Sequence, residues 1–159
     1  VKKQLQPEKI QLTPAGLSEL KKELGGLVEV RRPAAVERLS NARSMGDLAE
    51  NNDYQQAKEA LEFLDGRIAE LDGVIKNAQV IRTKTGKKSE VALGTKVRVG
   101  ADGQEHVFHI VGEWEADPAE KKISHESPLG QALICKRVGE KVEVSAPAGK
   151  IKYTILAIT

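Results

Sequence analysis

Residues 54–78 read YQQAKEALEFLDGRIAELDGVIKNA, and in them Tyr54, Ala57, Leu61, Leu64, Ile68, Leu71, Ile75 and Ala78 step by 3-4-3-4-3-4-3. Apolar residues at that alternating spacing form one stripe on an α-helix. Asn52 or Asp53 is placed to cap its start. Such a stripe needs a partner, and the partner lies upstream. Thr13-Pro14 supplies an N-cap followed by proline at the first helical position, where the missing N–H costs nothing. Leu17, Leu20, Leu24 and Leu27 then keep the same spacing, and Arg31, Ala35, Leu39 and Ala42 follow in phase. Pro33 interrupts this run and predicts a kink or a local break in its hydrogen bonding. Gly46 is the stop signal.

Two seams joined by about eight residues of turn chemistry predict an antiparallel coiled-coil hairpin. Helices of roughly 30 residues would make a rod on the order of 45 Å long. A dimerising coil is the alternative, but a hairpin satisfies its own seam, so a monomer is expected.

After Ala78 the pattern changes. A polar stretch, Thr83 to Ser89, leads into alternating apolar and polar runs at Thr95–Val99, His106–Val111, Lys141–Val144 and Ile151–Ile155, which read as strands. Ser127-Pro128 opens a short helix. The fold class is α+β, with a hairpin domain over 1–80, its tip at about 45–54, and a compact antiparallel sheet carrying one short helix over 81–159.

Composition narrows the function. Hydrophobic residues make up 40% and charged residues 30%, which suits a globular chain, while aromatics at 3% leave few rings for stacking bases. A single cysteine, Cys135, excludes an internal disulfide and a Cys-rich zinc site; the plainest reading makes it a small buried residue. No apolar run approaches a membrane span, Val1-Lys2-Lys3-Gln4 opens no secretory signal, and a cytoplasmic setting is expected. Between Thr13 and Ala78 nine basic residues face twelve acidic ones, a net of −3, and from Gln79 onward thirteen face ten, a net of +3. A slightly acidic front half is a poor match for duplex DNA, whose affinity rests on phosphate neutralisation.

The chemistry sits between the helices, in Met45-Gly46-Asp47-Leu48-Ala49-Glu50-Asn51-Asn52-Asp53-Tyr54. Asp47 and Glu50 are three apart, so in a helical turn both carboxylates leave from one side. Paired hard oxygens suit magnesium, but two alone hold it weakly, so the remaining ligands would come from a partner. A metal so shared could position a water for attack on a phosphodiester. A plainer reading is that acidic and amide residues simply cap helices and solubilise a turn.

The segment from Gly46 to Tyr54 resembles the acidic loop of the Gre family of bacterial transcript-cleavage factors. Arg31-Arg32-Pro33, Asn77-Ala78-Gln79-Val80-Ile81 and the run from Ile123 to Ile134 are similar to that family as well, and the resemblance covers about Leu12 to Ile158. It implies an accessory factor, not an enzyme, whose coiled coil enters the secondary channel of bacterial RNA polymerase. There Asp47 and Glu50 would assist a polymerase-bound Mg²⁺ and its water, and the polymerase would cut its own backtracked RNA. No metal is expected in the isolated protein. Arg43 and Lys58 match basic positions that could meet the nascent RNA 3′ end. The second domain resembles an FKBP-like domain that docks at the channel rim, with Ser124, Glu126 and Pro128 as matching positions. Ser127 and Pro128 already have structural roles as helix cap and first residue, so Glu126 is the stronger contact. Ala49 and Met45 depart from familiar tips and bear on RNA affinity.

Three rivals stand beside this reading. A Gre-like channel inhibitor without cleavage activity would carry a more acidic tip. A prolyl isomerase in the second half would need an aromatic pocket, where only Phe108, Trp114 and Tyr153 are on offer. A self-contained nuclease would need more ligands than two carboxylates. His106 and His109, three apart in a strand, point to opposite faces and make no shared metal site.

Overall fold

The computed structural model describes residues 8–46, 51–82 and 88–159. The described chain divides into two compact units, one within Leu17–Asn77 and the other of Glu8–Gly16 and Ala78–Thr159. The break falls after Asn77, and the segment Glu8–Gly16 joins the second unit.

In the first unit α1 (Pro14–Gly26) runs through a π-helical turn (Leu27–Arg31) into α2 (Arg32–Ser44), and α3 (Asn52–Lys76) returns. The cross-links run Glu23 to Arg67, Arg32 to Asp65, Arg38 to Asp53 and Ala42 to Asn51. One partner's number rises as the other's falls, which only an antiparallel pair produces. Leu20, Leu27, Ala42, Ala57, Leu64 and Leu71 are buried along the seam. Each leucine so buried contributes about 1.5–3 kcal/mol, against about 0.2–1 kcal/mol for a surface ion pair. The seam drives pairing, and the ion pairs refine register. The 25 residues of α3 span about 36 Å at helical rise.

The π turn has a sequence cause. From Leu27 to Ala42 is fifteen residues, one more than two heptads, and a π turn absorbs one extra residue. The Arg32 N–H accordingly bonds back to the Leu27 carbonyl, five residues away. Pro33, second in α2, offers no N–H, and the widened turn relieves its ring's crowding against the preceding carbonyl. The expected disruption is therefore a π turn within continuous helical backbone. Its consequence is that Arg31, in phase on paper, is exposed.

Ala78 does not extend the α3 seam. Asn77 closes the helix, and Ala78 begins β2 (Ala78–Val80), which pairs in parallel with β1 (Ile10–Leu12). The main sheet holds β3 (Lys96–Ala101), β4 (Gln104–Val111), β5 (Lys122–Ser124), β6 (Lys141–Ala146) and β7 (Gly149–Ile158) in the order β5-β4-β3-β7-β6. It is mixed, not purely antiparallel, because β5 lies parallel to β4; the 3₁₀ turns Glu113–Glu115 and Pro118–Glu120 carry the chain back between them. Three-residue strands such as β1, β2 and β5 are too short to show alternation. Val91, Val97, Val99, Ile110, Leu133, Val142, Ile155 and Ile158 form the core, capped by α4 (Pro128–Leu133).

Candidate functional site

Asp47, Leu48, Ala49 and Glu50 lie outside the described residues; the structure defines the frame on either side. Met45, 80% exposed, ends α2 with its N–H on the Ala42 carbonyl at 3.3 Å. Gly46 follows at φ +132, a backbone state costly for any residue with a Cβ. On the far side the cap is Asn51, one residue earlier than expected. Its Oδ1 accepts from the Asp53 and Tyr54 N–H groups at 3.1 and 3.2 Å, and its Nδ2 donates to the Ala42 carbonyl at 2.9 Å. One side chain thus caps α3 and ties it to the end of α2. Along the sequence, four residues, Asp47 to Glu50, separate the glycine turn from this clasp.

Arg43, in the last turn of α2, and Lys58, in the second turn of α3, are both exposed. Lys58 Nζ stands 4.0 Å from Glu62 one turn on, and Arg38 pairs with Asp53 at 3.2 Å. Arg43 thus lies in the turn that precedes Gly46, and Lys58 one turn further from residues 47–50 on the other side.

In the second unit, Ser124 ends β5 and organises the next loop. Its Oγ accepts from the Glu126 N–H at 3.1 Å, and its carbonyl accepts from the Ser127 hydroxyl at 2.7 Å. Ser127 Oγ in turn accepts from the Gly130 N–H at 3.0 Å, capping α4, with Pro128 at the first position as expected. A Cβ on Gly130 would stand 2.0 Å from the Ser124 carbonyl oxygen, so the helix lies directly on the loop. Ser124 and Pro128 are therefore occupied in shaping the turn. Glu126 is exposed, its carboxylate 3.8 Å from His125 Nε2. It shares a cleft of about 450 Å³ with Lys9, Gln11, Glu113, Trp114 and His125.

Nearby is a link invisible in the sequence. The Glu115 carboxylate accepts from the Thr13 N–H at 2.9 Å, from the Thr13 hydroxyl and from the Gly112 N–H at 3.2 Å. The expected Thr13 cap exists, since its Oγ1 accepts from the Gly16 N–H at 3.1 Å, but Glu115 holds it from 102 positions away.

The aromatic residues do not make an isomerase pocket. Phe108 and Tyr153 meet edge-on at 6.1 Å and pack half-buried against the core, while Trp114 faces the polar cleft. His106 stacks on Phe108. His109 is held below the usual imidazole range, first by burial and then by Lys96. Cys135 is exposed, not buried, at φ +63 just past α4; its N–H bonds the Val91 carbonyl, which turns the side chain outward. Among the described residues no group of three or more His, Cys, Asp or Glu could hold a metal ion, and no helix is long and apolar enough to cross a membrane.

Comparison with known proteins agrees along the chain. Residues 10–80 match the family model "Transcription elongation factor, N-terminal", and residues 86–159 match "Transcription elongation factor, GreA/GreB, C-term". Transcription elongation factor GreA of Caldanaerobacter subterraneus subsp. tengcongensis is 46% identical over 149 residues, covering 92% of this chain and 95% of its own. That of Clostridium acetobutylicum is 44% identical over 155 residues, covering 96% and 98%. Among solved structures, GreA factor homolog 1 (Gfh1) of Thermus thermophilus is 26% identical, covers 96% of this chain and 99% of its own, and has a TM-score of 0.45. With both of its halves matched, this chain belongs to the GreA/GreB family of transcription elongation factors.

Proposed function

We propose that this chain, an accessory factor and not itself an enzyme, inserts its hairpin into the secondary channel of bacterial RNA polymerase in the cytoplasm and stimulates the polymerase's own cleavage of backtracked nascent RNA. The observation that supports the reading is the frame at the hairpin end, where Gly46 and the Asn51 clasp flank, along the chain, the four residues that include Asp47 and Glu50. Two carboxylates are hard-oxygen donors that fit magnesium yet are too few to retain it. A Mg²⁺ shared with the polymerase would supply charge stabilisation and an activated water. The residues of this chain do the rest. Asp47 and Glu50 complete the donor set and orient the water. Arg43 and Lys58 offer cations to the extruded RNA 3′ end. In the second unit Glu126, on the loop shaped by Ser124 and Pro128, offers a carboxylate to a basic residue at the channel rim.

The test is RNA cleavage by a stalled, backtracked polymerase. Asp47→Ala and Glu50→Ala should bind polymerase with unchanged affinity while stimulation falls to the factor-free rate. Full stimulation by the double variant would refute the role of the pair, and a wild-type chain that bound without stimulating would mark a channel inhibitor instead.

A further inference from the structure

Along the hairpin the two helices leave an apolar groove that this chain does not fill. One part, of about 600 Å³, is floored by Leu27 and Leu64 and walled by Phe63, whose side chain is 76% exposed. Toward the tip it continues as a recess of about 330 Å³ between Val30, Ala34, Ala57 and Ala60. The two parts share Arg31 and Leu64, so they adjoin. Val30 is 67% exposed. Phe63 and Val30 thus stand in solvent on adjoining parts of one groove, beside a seam that is already paired, and exposed apolar grooves are found at interaction sites.

Two further observations say what fits there. Gly66, within α3, lines the groove next to Phe63; a Cβ on it would meet nothing within 4 Å. Packing within this chain therefore does not require glycine there, although glycine weakens a helix interior; its missing side chain leaves the wall open to close approach. The charges are also uneven. Arg67 is satisfied by Glu23 at 3.0 Å and Glu70 at 2.8 Å, and Arg38 by Asp53. Arg31, common to both parts, has no ion-pair partner among the described residues, and the tipward recess is lined by Arg31 and Arg38 with no carboxylate.

We propose that this groove docks an acidic amphipathic helix, whose apolar face covers Phe63 and Val30 and whose carboxylate pairs with Arg31. A third helix laid along a helix pair is an established way of burying such a groove. An RNA strand would answer Arg31 and Arg38 but leave Phe63 and Val30 wet, so the apolar lining selects a peptide helix. That the helix belongs to RNA polymerase rests on the function proposed above.

Phe63→Ser, Gly66→Leu, Arg31→Ala and Arg31→Glu alter exposed or unobstructed positions, and circular dichroism melts verify that each variant folds. Stalled polymerase is titrated with each variant, reading the concentration for half-maximal cleavage separately from the maximal rate. Phe63→Ser and Gly66→Leu should each raise the half-saturating concentration by about tenfold, equivalent to about 1.4 kcal/mol, with the maximal rate unchanged. Arg31→Glu should exceed Arg31→Ala in the same direction. Unchanged half-saturation for all variants, with wild-type cleavage intact, overturns the groove and leaves the proposed function standing. Loss with Arg31→Glu alone points to phosphate contact and also overturns the helix. If the wild type stimulates no cleavage, the functional reading fails by itself, and the groove is judged by direct binding of the same variants to polymerase, where equal affinity overturns it.

Discussion

Glu115→Ala is the sharpest test of how the second unit is held together. The carboxylate accepts three hydrogen bonds, two from Thr13 and one from the Gly112 N–H, and Thr13 is only 6% exposed. Hydrogen bonds to a charged acceptor are worth about 1.5–3 kcal/mol each, and a buried N–H left unpaired costs about 1–3 kcal/mol. Water can replace part of this at a half-buried carboxylate, so the summed loss should be about 2–4 kcal/mol. Gly16 makes the prediction stricter, because a Cβ there would stand 2.0 Å from the Glu115 Cδ. Gly16→Ala should therefore destabilise the wild-type background by displacing the carboxylate. In the Glu115→Ala background it should be neutral or stabilising, since alanine favours helix over glycine by up to about 1 kcal/mol. The double-mutant cycle should give a coupling of about 1–3 kcal/mol. Urea unfolding followed through Trp114, the single tryptophan, reads the right region because it adjoins Glu115. A loss below about 0.5 kcal/mol for Glu115→Ala, or strict additivity with Gly16→Ala, would refute the reasoning.

Further outcomes follow from other contacts. Asn51→Ala removes the α3 cap and the bond to Ala42 together and should cost about 1–2 kcal/mol; Asn51→Asp keeps the cap but loses the donor and should fall between, as read by helix melting. Gly130→Ala forces a Cβ against the Ser124 carbonyl oxygen and should destabilise the second unit by about 1–3 kcal/mol, checked by denaturation. His109 has its pKa lowered from 6.5 by burial and by Lys96. The unfolded chain therefore takes up the proton first as pH falls, and stability drops through that window and is regained above it. His109→Gln should flatten this slope, and an NMR titration showing His109 at or above its ordinary value would contradict it.

The helical half was legible because its forces are local and periodic. A 3-4 apolar repeat fixes a stripe, and a stripe with no other partner must pair with the one before it. At Pro33 the sequence announced a kink or a local break, while its form as a π turn, and what that does to Arg31, shows only in three dimensions. Strands of six residues or more declared themselves by alternation, whereas β1, β2 and β5, at three residues each, are too short to do so. They exist because a neighbouring strand supplies hydrogen bonds, and β5 makes the sheet mixed for the same reason. The Ser127-Pro128 helix start was legible from residue type and spacing. Sequence alone thus determined the hairpin and the longer sheet-forming runs, since short-range periodicity carries that information, and it singled out Asp47 and Glu50 as the acidic pair on which the proposed function rests. Only the tertiary structure decided that Asn51 caps α3 and clasps it to α2, that Glu115 holds Thr13 from 102 positions away and that Phe63 stands open beside an Arg31 with no ion-pair partner among the described residues. Those contacts join residues distant along the chain, and no local pattern encodes which distant group will arrive.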